Sequence, residues 1–298
     1  MYYFIYGFLK LLSLLPLRVL YLLSDVVYFL IVHVFDYRKK VVMHNLQIAF
    51  PEKTEEERVR IMKDFYHNFC DTIVEIIKIF SWSNEELLKR MSGNFDQVNA
   101  WKDKGRNVQV IAGHYFNWEL ANLGVGGIST IPFLGVYKPL SNKVLNRIFL
   151  DMRSRTGSIL ISATDFKNDV SEHLNKQYAL ILVGDQNPGN PENAYWLNFF
   201  TKAAPFVKGP AKGAIMKDTV VFYADFYKVK RGYYQFEVEL ITENPREYTE
   251  GALTKLLVKK VEASVKKRPA NYLWTHRRWK HEWKDKYQDL WVDDEPRK

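Results

Sequence analysis

The sequence predicts an α/β fold in which a mainly parallel central sheet is flanked by helices and preceded by an N-terminal helical membrane anchor. From about residue 105, short apolar runs recur with helix-length segments between most of them, a pattern typical of strand–helix–strand units. One run, "YYQFEVELI" at 233–241, alternates in polarity and predicts a more exposed, antiparallel strand. The first 35 residues are almost continuously apolar and predict the anchor.

The anchor consists of two apolar stretches separated by Pro16. The second stretch is about long enough to span a bilayer, but it contains Arg18 and Asp25. The segment lacks the basic start and the small-residue cleavage site of a secretory signal, and a basic Arg-Lys-Lys run follows it, which favours the cytoplasmic side. We therefore predict an uncleaved anchor in residues 1–40, spanning the membrane or lying in its interface, with residues 41–298 in the cytoplasm. A buried helical hairpin in a soluble protein is the alternative.

A helical lead-in to the sheet is predicted at about 51–95. Thr54 with Glu57 forms the pattern of a capping box at the start of a long helix, and Ser83 with Glu86 repeats it before a shorter one. Helical spacing places seven apolar residues of the long helix on one face: Val59, Met62, Phe65, Phe69, Ile73, Ile76 and Phe80.

The sheet strands are predicted from the apolar runs that follow. These runs lie at 108–112, 131–136, 158–161, 179–183 and 220–226, and one more helix is predicted at 249–266. The chain shows no internal repeat and no low-complexity linker, so no domain boundary is predicted beyond the anchor.

Composition narrows the functional class. With 298 residues, 47% of them hydrophobic and 15% aromatic, the chain is long and apolar enough to bury a full core. The formal charge of +9 indicates a polyanionic partner, which can be nucleic acid, anionic lipid or an acidic carrier protein. The single cysteine, Cys70, excludes an internal disulfide and a cysteine-cluster zinc site, and its spacing predicts a place in the core.

Several familiar catalytic motifs are missing from the sequence. It contains no G-x-S-x-G, no G-x-x-x-x-G-K-[ST], no G-x-G-x-x-G and no H-E-x-x-H. A serine nucleophile elbow, a nucleotide site and a zinc hydrolase site are therefore not expected.

The stretch "GHYFNWE" at 113–119 suits acid–base chemistry instead. His114 lies at the end of a predicted strand, and if a helix begins near Asn117, Glu119 can turn towards the histidine. A histidine with one ring nitrogen held by a carboxylate can take a proton from a substrate hydroxyl with the other. The pattern thus predicts a base and its orienting acid without a protein nucleophile, as in direct acyl transfer.

The order of five blocks carries a family resemblance. An apolar N-terminus and "NLQIAFPE" are followed by "HYFNWE", "MRSRTGSIL", "VGDQNPG" and "NYLWTHRRWK". Over nearly the whole chain this order resembles the secondary acyltransferases of lipid A biosynthesis (lauroyl/myristoyl type), within the lysophospholipid acyltransferase superfamily. The resemblance implies a glycerolipid-acyltransferase-like fold, catalytic roles for His114 and Glu119, and oxyanion stabilisation or substrate positioning by Arg153 and Asp185.

Two positions depart from the family pattern. Asn187 stands where members often carry a second acid, and Lys138 stands where arginine is common, so a bidentate phosphate contact would be lost there. Other interpretations stay open: Arg153 with Arg155 as a solvated helix end, 185–189 as a plain turn, and the C-terminal tail as a membrane-surface segment or a packed strand and helix. Weaker candidates for substrate binding are Asn117, Lys138, Gln186, Arg277 and Arg278.

The resemblance implies a membrane-bound O-acyltransferase that moves a fatty acyl chain from a thioester to a hydroxyl of a lipid A precursor. Acyl-carrier protein is favoured over acyl-CoA as donor, no metal or bound cofactor is expected, and the site would face the cytoplasm at the inner membrane. Alternatives are another lysolipid, aminolipid or glycolipid acceptor, or a non-catalytic basic protein that binds membranes or nucleic acid. Scattered charges argue against a nucleic-acid partner. Acyl chain length and oligomeric state stay open.

Overall fold

The computed structural model describes residues 1–297 and has the predicted α/β architecture. The helices of this part of the chain are α1 (Tyr2–Ser13), α2 (Leu17–His33), α3 (Lys39–Ala49), α4 (Glu55–Ile79), α5 (Asn84–Leu88), α6 (Asp96–Asn99), α7 (Trp118–Ile128), α8 (Lys143–Arg153), α9 (Phe166–Ser171), α10 (Gly209–Lys217) and α11 (Glu250–Lys267). The strands are β1 (Met91–Gly93), β2 (Val108–Ala112), β3 (Phe133–Tyr137), β4 (Ile159–Ser162), β5 (Ala179–Val183), β6 (Ala194–Phe199), β7 (Lys202–Val207), β8 (Val220–Lys230) and β9 (Tyr233–Thr242).

Seven strands form the central sheet, in the order β1-β9-β8-β2-β5-β3-β4. Neighbouring strands run parallel except β8 and β9, which pair antiparallel. This confirms both the mainly parallel sheet and the antiparallel strand predicted at 233–241. The adjacent β6 and β7 form a separate antiparallel pair that the sequence analysis did not predict.

Helices cover both faces of the sheet, which explains why its central strands are almost wholly apolar. On one face, Val110 of β2 shares an apolar cluster with Leu120 of α7. On the other, the next residue of β2, Ile111, packs with Ala214 of α10 and Leu253 of α11. The alternation of side chains along a strand thus places successive residues of β2 in different clusters.

The helical lead-in has the predicted caps, one of them in full. The Thr54 hydroxyl accepts from the Glu57 N–H at 3.3 Å, and the Glu57 carboxylate accepts from the Thr54 N–H at 2.8 Å. The Ser83 hydroxyl accepts from the Glu86 N–H at 3.1 Å, but the Glu86 carboxylate pairs with Arg90, so only half of the second predicted box forms. Cys70 is buried in α4, as predicted.

The N-terminal helices α1 and α2 meet at a bend of 104°. None of the helices of residues 1–297 is by itself long and apolar enough to cross a membrane, and α1 and α2 meet that requirement only as a bent pair. Both pack on α4: the Lys78 ammonium donates to the carbonyls of Ser13 and Leu15, at 2.7 and 2.9 Å. The predicted membrane anchor stays a prediction.

Candidate active site

The site lies where two neighbouring parallel strands end. The last residues of β2 and β5, Ala112 and Val183, are register partners, so the segments after them leave the sheet side by side. One begins Gly113-His114 and the other Gly184-Asp185. A Cβ on Gly113 would lie 2.6 Å from the Tyr115 ring, so only glycine permits this close turn. Polar loops at the carboxyl ends of parallel strands are where open α/β sheets bind ligands.

His114 is bonded to Asp185. Nδ1 of His114 lies 2.6 Å from Oδ1 of Asp185, and the backbone N–H of His114 donates to the same oxygen at 3.2 Å. The Asp185 side chain is 1% exposed and the His114 side chain 28%. Burial raises the pKa of Asp185, but charge attraction and hydrogen bonds from His114, with the Tyr272 hydroxyl, outweigh it and bring the pKa to about 2, below the ordinary 3.8.

An ionised Asp185 determines which tautomer of His114 is present. A carboxylate only accepts hydrogen bonds, so a neutral imidazole bonded to it carries its proton on Nδ1 and a lone pair on Nε2. Within residues 1–297, no group hydrogen-bonds to Nε2. The histidine is therefore held on one side by a buried acceptor and has a proton-accepting nitrogen on the other.

The prediction that Glu119 holds His114 is wrong, because Asp185 is in that position. The Glu119 carboxylate instead forms a two-pronged pair with Arg153, whose Nε and a terminal nitrogen donate at 2.8 and 2.5 Å. The indole N–H of Trp118 donates to the same carboxylate at 3.2 Å. Whether these side chains take part in catalysis stays a prediction.

The path of the chain between His114 and α7 explains the difference. Residues 114–117 bend and turn beside the C-terminal loop, defined here as residues 271–278, and Tyr115 makes an isolated antiparallel bridge with Tyr272. The Leu273 N–H donates to the His114 carbonyl at 3.1 Å on this bridge. Helix α7 therefore begins only at Trp118, and Glu119 in its first turn bonds to Arg153 of α8.

Asn117 caps α7 and is fully buried, so the predicted substrate contact does not fit its position. Its Oδ1 accepts from the Leu120 N–H, and its Nδ2 donates to Glu75, both at 3.3 Å. Of the other weak candidates, Lys138 is exposed just after β3, and Gln186 is partly exposed beside Asp185.

Arg278 is also buried, 1% exposed, so its predicted contact with a phosphate or headgroup is wrong for this structure. Its guanidinium donates to Asn187 Oδ1 at 2.9 Å and to the Pro205 carbonyl at 2.8 Å. Its neighbour Arg277 is exposed, and the Arg277 carbonyl accepts from Asn187 Nδ2 at 2.6 Å. Asn187 thus joins the loop after β5 to the C-terminal loop.

The rest of the tail packs on β6 in the described residues. Tyr287 stacks on Trp196 with ring centroids 4.8 Å apart, and Trp291 forms an isolated bridge with the same residue. Residues 285–290 form a 3₁₀ turn in place of a regular strand or helix. The packed alternative for the tail is therefore the correct one.

Two groups near the site escaped the sequence analysis. Asn45, in the "NLQIAFPE" block, donates to the carbonyls of Trp274 and His276 at 2.8 and 2.7 Å and so supports the C-terminal loop. Glu75 is buried in α4 and accepts hydrogen bonds from Asn117, Tyr234 and two further groups. Burial raises the pKa of Glu75 and these hydrogen bonds oppose the rise. A carboxylate within an apolar helical stretch was the available signal for Glu75.

Among the described residues, no group of three or more histidine, cysteine or acidic side chains is arranged to hold a metal ion. The chain thus supplies two charged pairs: an imidazole on a buried carboxylate, and a second buried carboxylate on the partly buried guanidinium of Arg153.

Comparison with known proteins agrees with the motif order. Residues 1–281 match the family model described as bacterial lipid A biosynthesis acyltransferase. The chain is 24% identical over 250 residues to the lipid A biosynthesis palmitoleoyltransferase of Escherichia coli K12, covering 82% of this chain and 79% of that protein. It is 22% identical over 277 residues to the lipid A biosynthesis lauroyltransferase of the same organism, covering 92% and 89%.

A lipid A biosynthesis acyltransferase of Haemophilus influenzae is 22% identical over 273 residues, covering 90% of this chain and 83% of that protein. These matches set aside the alternative of a non-catalytic binding protein. The predicted resemblance is confirmed, and the chain is an acyltransferase that belongs to the bacterial lipid A biosynthesis acyltransferase family.

Proposed function

We propose that this protein is a membrane-bound O-acyltransferase that transfers a fatty acyl chain from an acyl thioester to a hydroxyl group of a lipid A precursor. The observation that carries the proposal is the bond between His114 Nδ1 and the buried, ionised Asp185, which leaves Nε2 as a base. Family membership supports the class of acceptor.

In the proposed reaction, Nε2 of His114 takes the proton of the acceptor hydroxyl as its oxygen attacks the thioester carbonyl. The new C–O bond gives a tetrahedral intermediate, which collapses as the C–S bond breaks. The leaving thiolate then takes the proton from the imidazolium. Asp185 keeps the ring in the correct tautomer and stabilises its positive charge during the transfer.

Arg153 would act on the oxyanion, with Glu119 as its positioning residue. Two guanidinium nitrogens of Arg153 are bonded to Glu119, and the third has no hydrogen-bond partner within residues 1–297. A bidentate carboxylate holds the planar guanidinium in one orientation. The remaining N–H groups can then donate to the oxygen on which charge develops.

We place acyl-carrier protein as the donor and the cytoplasmic leaflet of the inner membrane as the location. A chain of formal charge +9 suits an acidic carrier protein, since complementary charge accelerates encounter. Initial rates with the carrier-bound donor should therefore fall as salt rises. Rates that do not change with salt, or a preference for acyl-CoA, would contradict this donor.

The test of the mechanism uses purified enzyme with a lipid A precursor, and the acylated product is measured by mass spectrometry. His114→Ala should lower the rate by about 10²–10⁴, the usual contribution of general-base catalysis. Asp185→Asn should also cause a large loss, because the amide leaves the ring in the wrong tautomer. His44→Ala, which removes an exposed histidine on α3, is the matched control. A folded His114→Ala enzyme with near-normal turnover would refute the mechanism.

A further inference from the structure

The N-terminal helices expose an unusual amount of apolar surface. Of the 25 large hydrophobic side chains exposed in residues 1–297, 17 lie between Met1 and Tyr37. Tyr3 is 85% exposed and Phe35 70%. Soluble monomers rarely expose a contiguous apolar patch of this kind, so the surface indicates an apolar partner.

Between its ends, where Arg18 and His33 are exposed, helix α2 has its polar side chains on the inside. Tyr21, Ser24 and Asp25 lie at the helical spacing of one face and point towards the body of the protein, defined here as residues 41–297. The Tyr21 hydroxyl donates to Glu75 at 2.8 Å, the Ser24 hydroxyl donates to Asp71 at 2.9 Å, and Asp25 pairs with Arg231. The opposite face carries exposed apolar side chains. This is the reverse of a helix that faces water.

Helix α1 is fixed to the body at both ends. Near its start, the Tyr2 hydroxyl donates to Asp151 of α8 at 2.7 Å. Near its end, the Lys10 ammonium donates to the Phe80 carbonyl at 2.6 Å, and the Ser81 hydroxyl donates to the Ser13 carbonyl at 2.6 Å. A helix held at both ends along the body cannot also run through a bilayer away from it.

We propose that α1 and α2 form a membrane-docking surface that lies in the plane of one leaflet of a bilayer containing anionic phospholipid, with Met1 and the body on the same side. Exposed Arg18 at the bend, and exposed Arg38 and Lys40 after α2, supply cations for the headgroups. Two observations favour this arrangement over a spanning anchor: the exposed face of α2 is its apolar one, and α1 is hydrogen-bonded to the body at both ends. The docking surface is independent of the acyl-transfer chemistry, because it is defined by contacts of α1 and α2 alone.

This surface is joined to the site by few bonds. Glu75 accepts from Tyr21 of α2 and from Asn117, the cap of α7. Tyr2 of α1 contacts α8, which ends at Arg153. Helices α1 and α2 are therefore bonded, directly or through Glu75, to the helices that carry Asn117 and Arg153.

The first experiment maps topology with the full-length enzyme. An epitope tag before Met1 and a second tag after Lys298 are tested separately for antibody access in spheroplasts and in inverted inner-membrane vesicles. We expect both tags to be accessible only in the inverted vesicles. An N-terminal tag that is accessible in spheroplasts, with the C-terminal tag on the other side, would show a spanning anchor and overturn the proposal.

The second experiment measures cosedimentation with vesicles of phosphatidylethanolamine and phosphatidylglycerol. The variant Phe4→Gln/Phe8→Gln/Leu22→Gln should bind at least about tenfold more weakly, because each substitution removes apolar area from the bilayer. Met216→Gln/Val229→Gln, which changes exposed apolar residues outside the surface, is the control and should bind normally. Unchanged binding of the first variant, or equal binding of wild type to phosphatidylcholine vesicles, would contradict the proposed surface or its lipid.

Discussion

Two buried carboxylates of the site, Asp185 and Glu119, have different partners and therefore different chemistry. Asp185 is bonded to the imidazole of His114, whose proton it orients, whereas Glu119 is bonded to the guanidinium of Arg153, which only donates hydrogen bonds. A buried carboxylate without a cation or hydrogen-bond donors is strongly unfavourable, so each acid requires its own partner. The division of roles follows from which partner each carboxylate meets.

The Glu119–Arg153 pair gives the first prediction. Arg153→Met should lower the free energy of unfolding by roughly 3–5 kcal/mol, because it leaves the buried Glu119 carboxylate unpaired, and Glu119→Gln should cost less, because the guanidinium it leaves is partly exposed. The double variant should lose clearly less than the sum of the two. Urea unfolding of all four proteins measures this coupling, and a strictly additive result would show that the pair has no energetic connection.

The second prediction concerns His276. Burial, followed by the charge of Arg278, lowers the pKa of His276 from 6.5 to about 4. As pH falls below about 6.5, the unfolded chain takes up a proton that the folded protein does not, so stability falls until about pH 4. His276 should therefore lower the free energy of unfolding of the wild type between neutral pH and pH 4, by less than the full pKa shift would give because the ring is partly exposed.

The comparison protein is His276→Gln, which keeps an acceptor near the Asn187 N–H but does not titrate. Its free energy of unfolding should fall less steeply than that of the wild type over this range. Parallel pH curves for the two proteins would contradict the assigned pKa shift of His276.

At the scale of elements, the C-terminal loop joins three separate parts of the fold. It pairs with residues 114–116, accepts hydrogen bonds from Asn45 of α3, and contacts Asn187 after β5. These parts carry three of the blocks that define the family resemblance. Several of the motif residues therefore connect segments that are distant in the sequence.

Arg278 gives the third prediction. Arg278→Ala removes two hydrogen bonds and the contact of the guanidinium with the Phe206 ring, 4.0 Å from its centroid. We expect the free energy of unfolding to fall by roughly 2–4 kcal/mol, with lower activity because the loop after β5 loosens. Arg277→Ala, at the exposed neighbour, should change stability by about 0.5 kcal/mol or less. Thermal melting of both variants measures the difference in stability. Equal losses would contradict a structural role for the buried Arg278 side chain.

At the scale of the whole molecule, α1, α2 and the bend between them supply hydrogen-bond partners to three polar side chains of α4. Asp71, Glu75 and Lys78 all bond to groups within residues 1–35. Removal of residues 1–35 takes one hydrogen-bond donor each from Asp71 and Glu75 and both carbonyl acceptors from Lys78, and it uncovers apolar surface of α4.

Deletion of residues 1–35 gives the fourth prediction. The shortened protein should melt at a clearly lower temperature in detergent than the full-length chain, since two buried carboxylates and the partly buried Lys78 ammonium lose hydrogen-bond partners. The double variant Tyr21→Phe/Ser24→Ala keeps both helices and should reproduce part of the loss. Melting is followed by intrinsic fluorescence. A deletion variant with an unchanged melting temperature would show that the helices are a dispensable appendage.

Local sequence signals determined where most strands and the long helix α4 lie, and which residues are candidates for the site. The apolar runs predicted the central strands, and the Thr54 capping box predicted the start of α4, because periodicity and capping act within a few residues. The motif blocks indicated His114, Glu119, Arg153 and Asp185 as the set of site residues, and the structure places His114 with Asp185 and Glu119 with Arg153.

Only the tertiary structure decided which of these side chains meet. One of the two neighbours of β2 is β5, which lies about 70 residues further along the chain, and that adjacency brings Asp185 to His114. The C-terminal loop, which pairs with residues 114–116, likewise turns Glu119 away to Arg153. The face of α2 that carries Tyr21 and Ser24 could be identified as the buried face only from its hydrogen bonds to α4. Periodicity describes one segment at a time, whereas a pair of side chains depends on how distant segments pack.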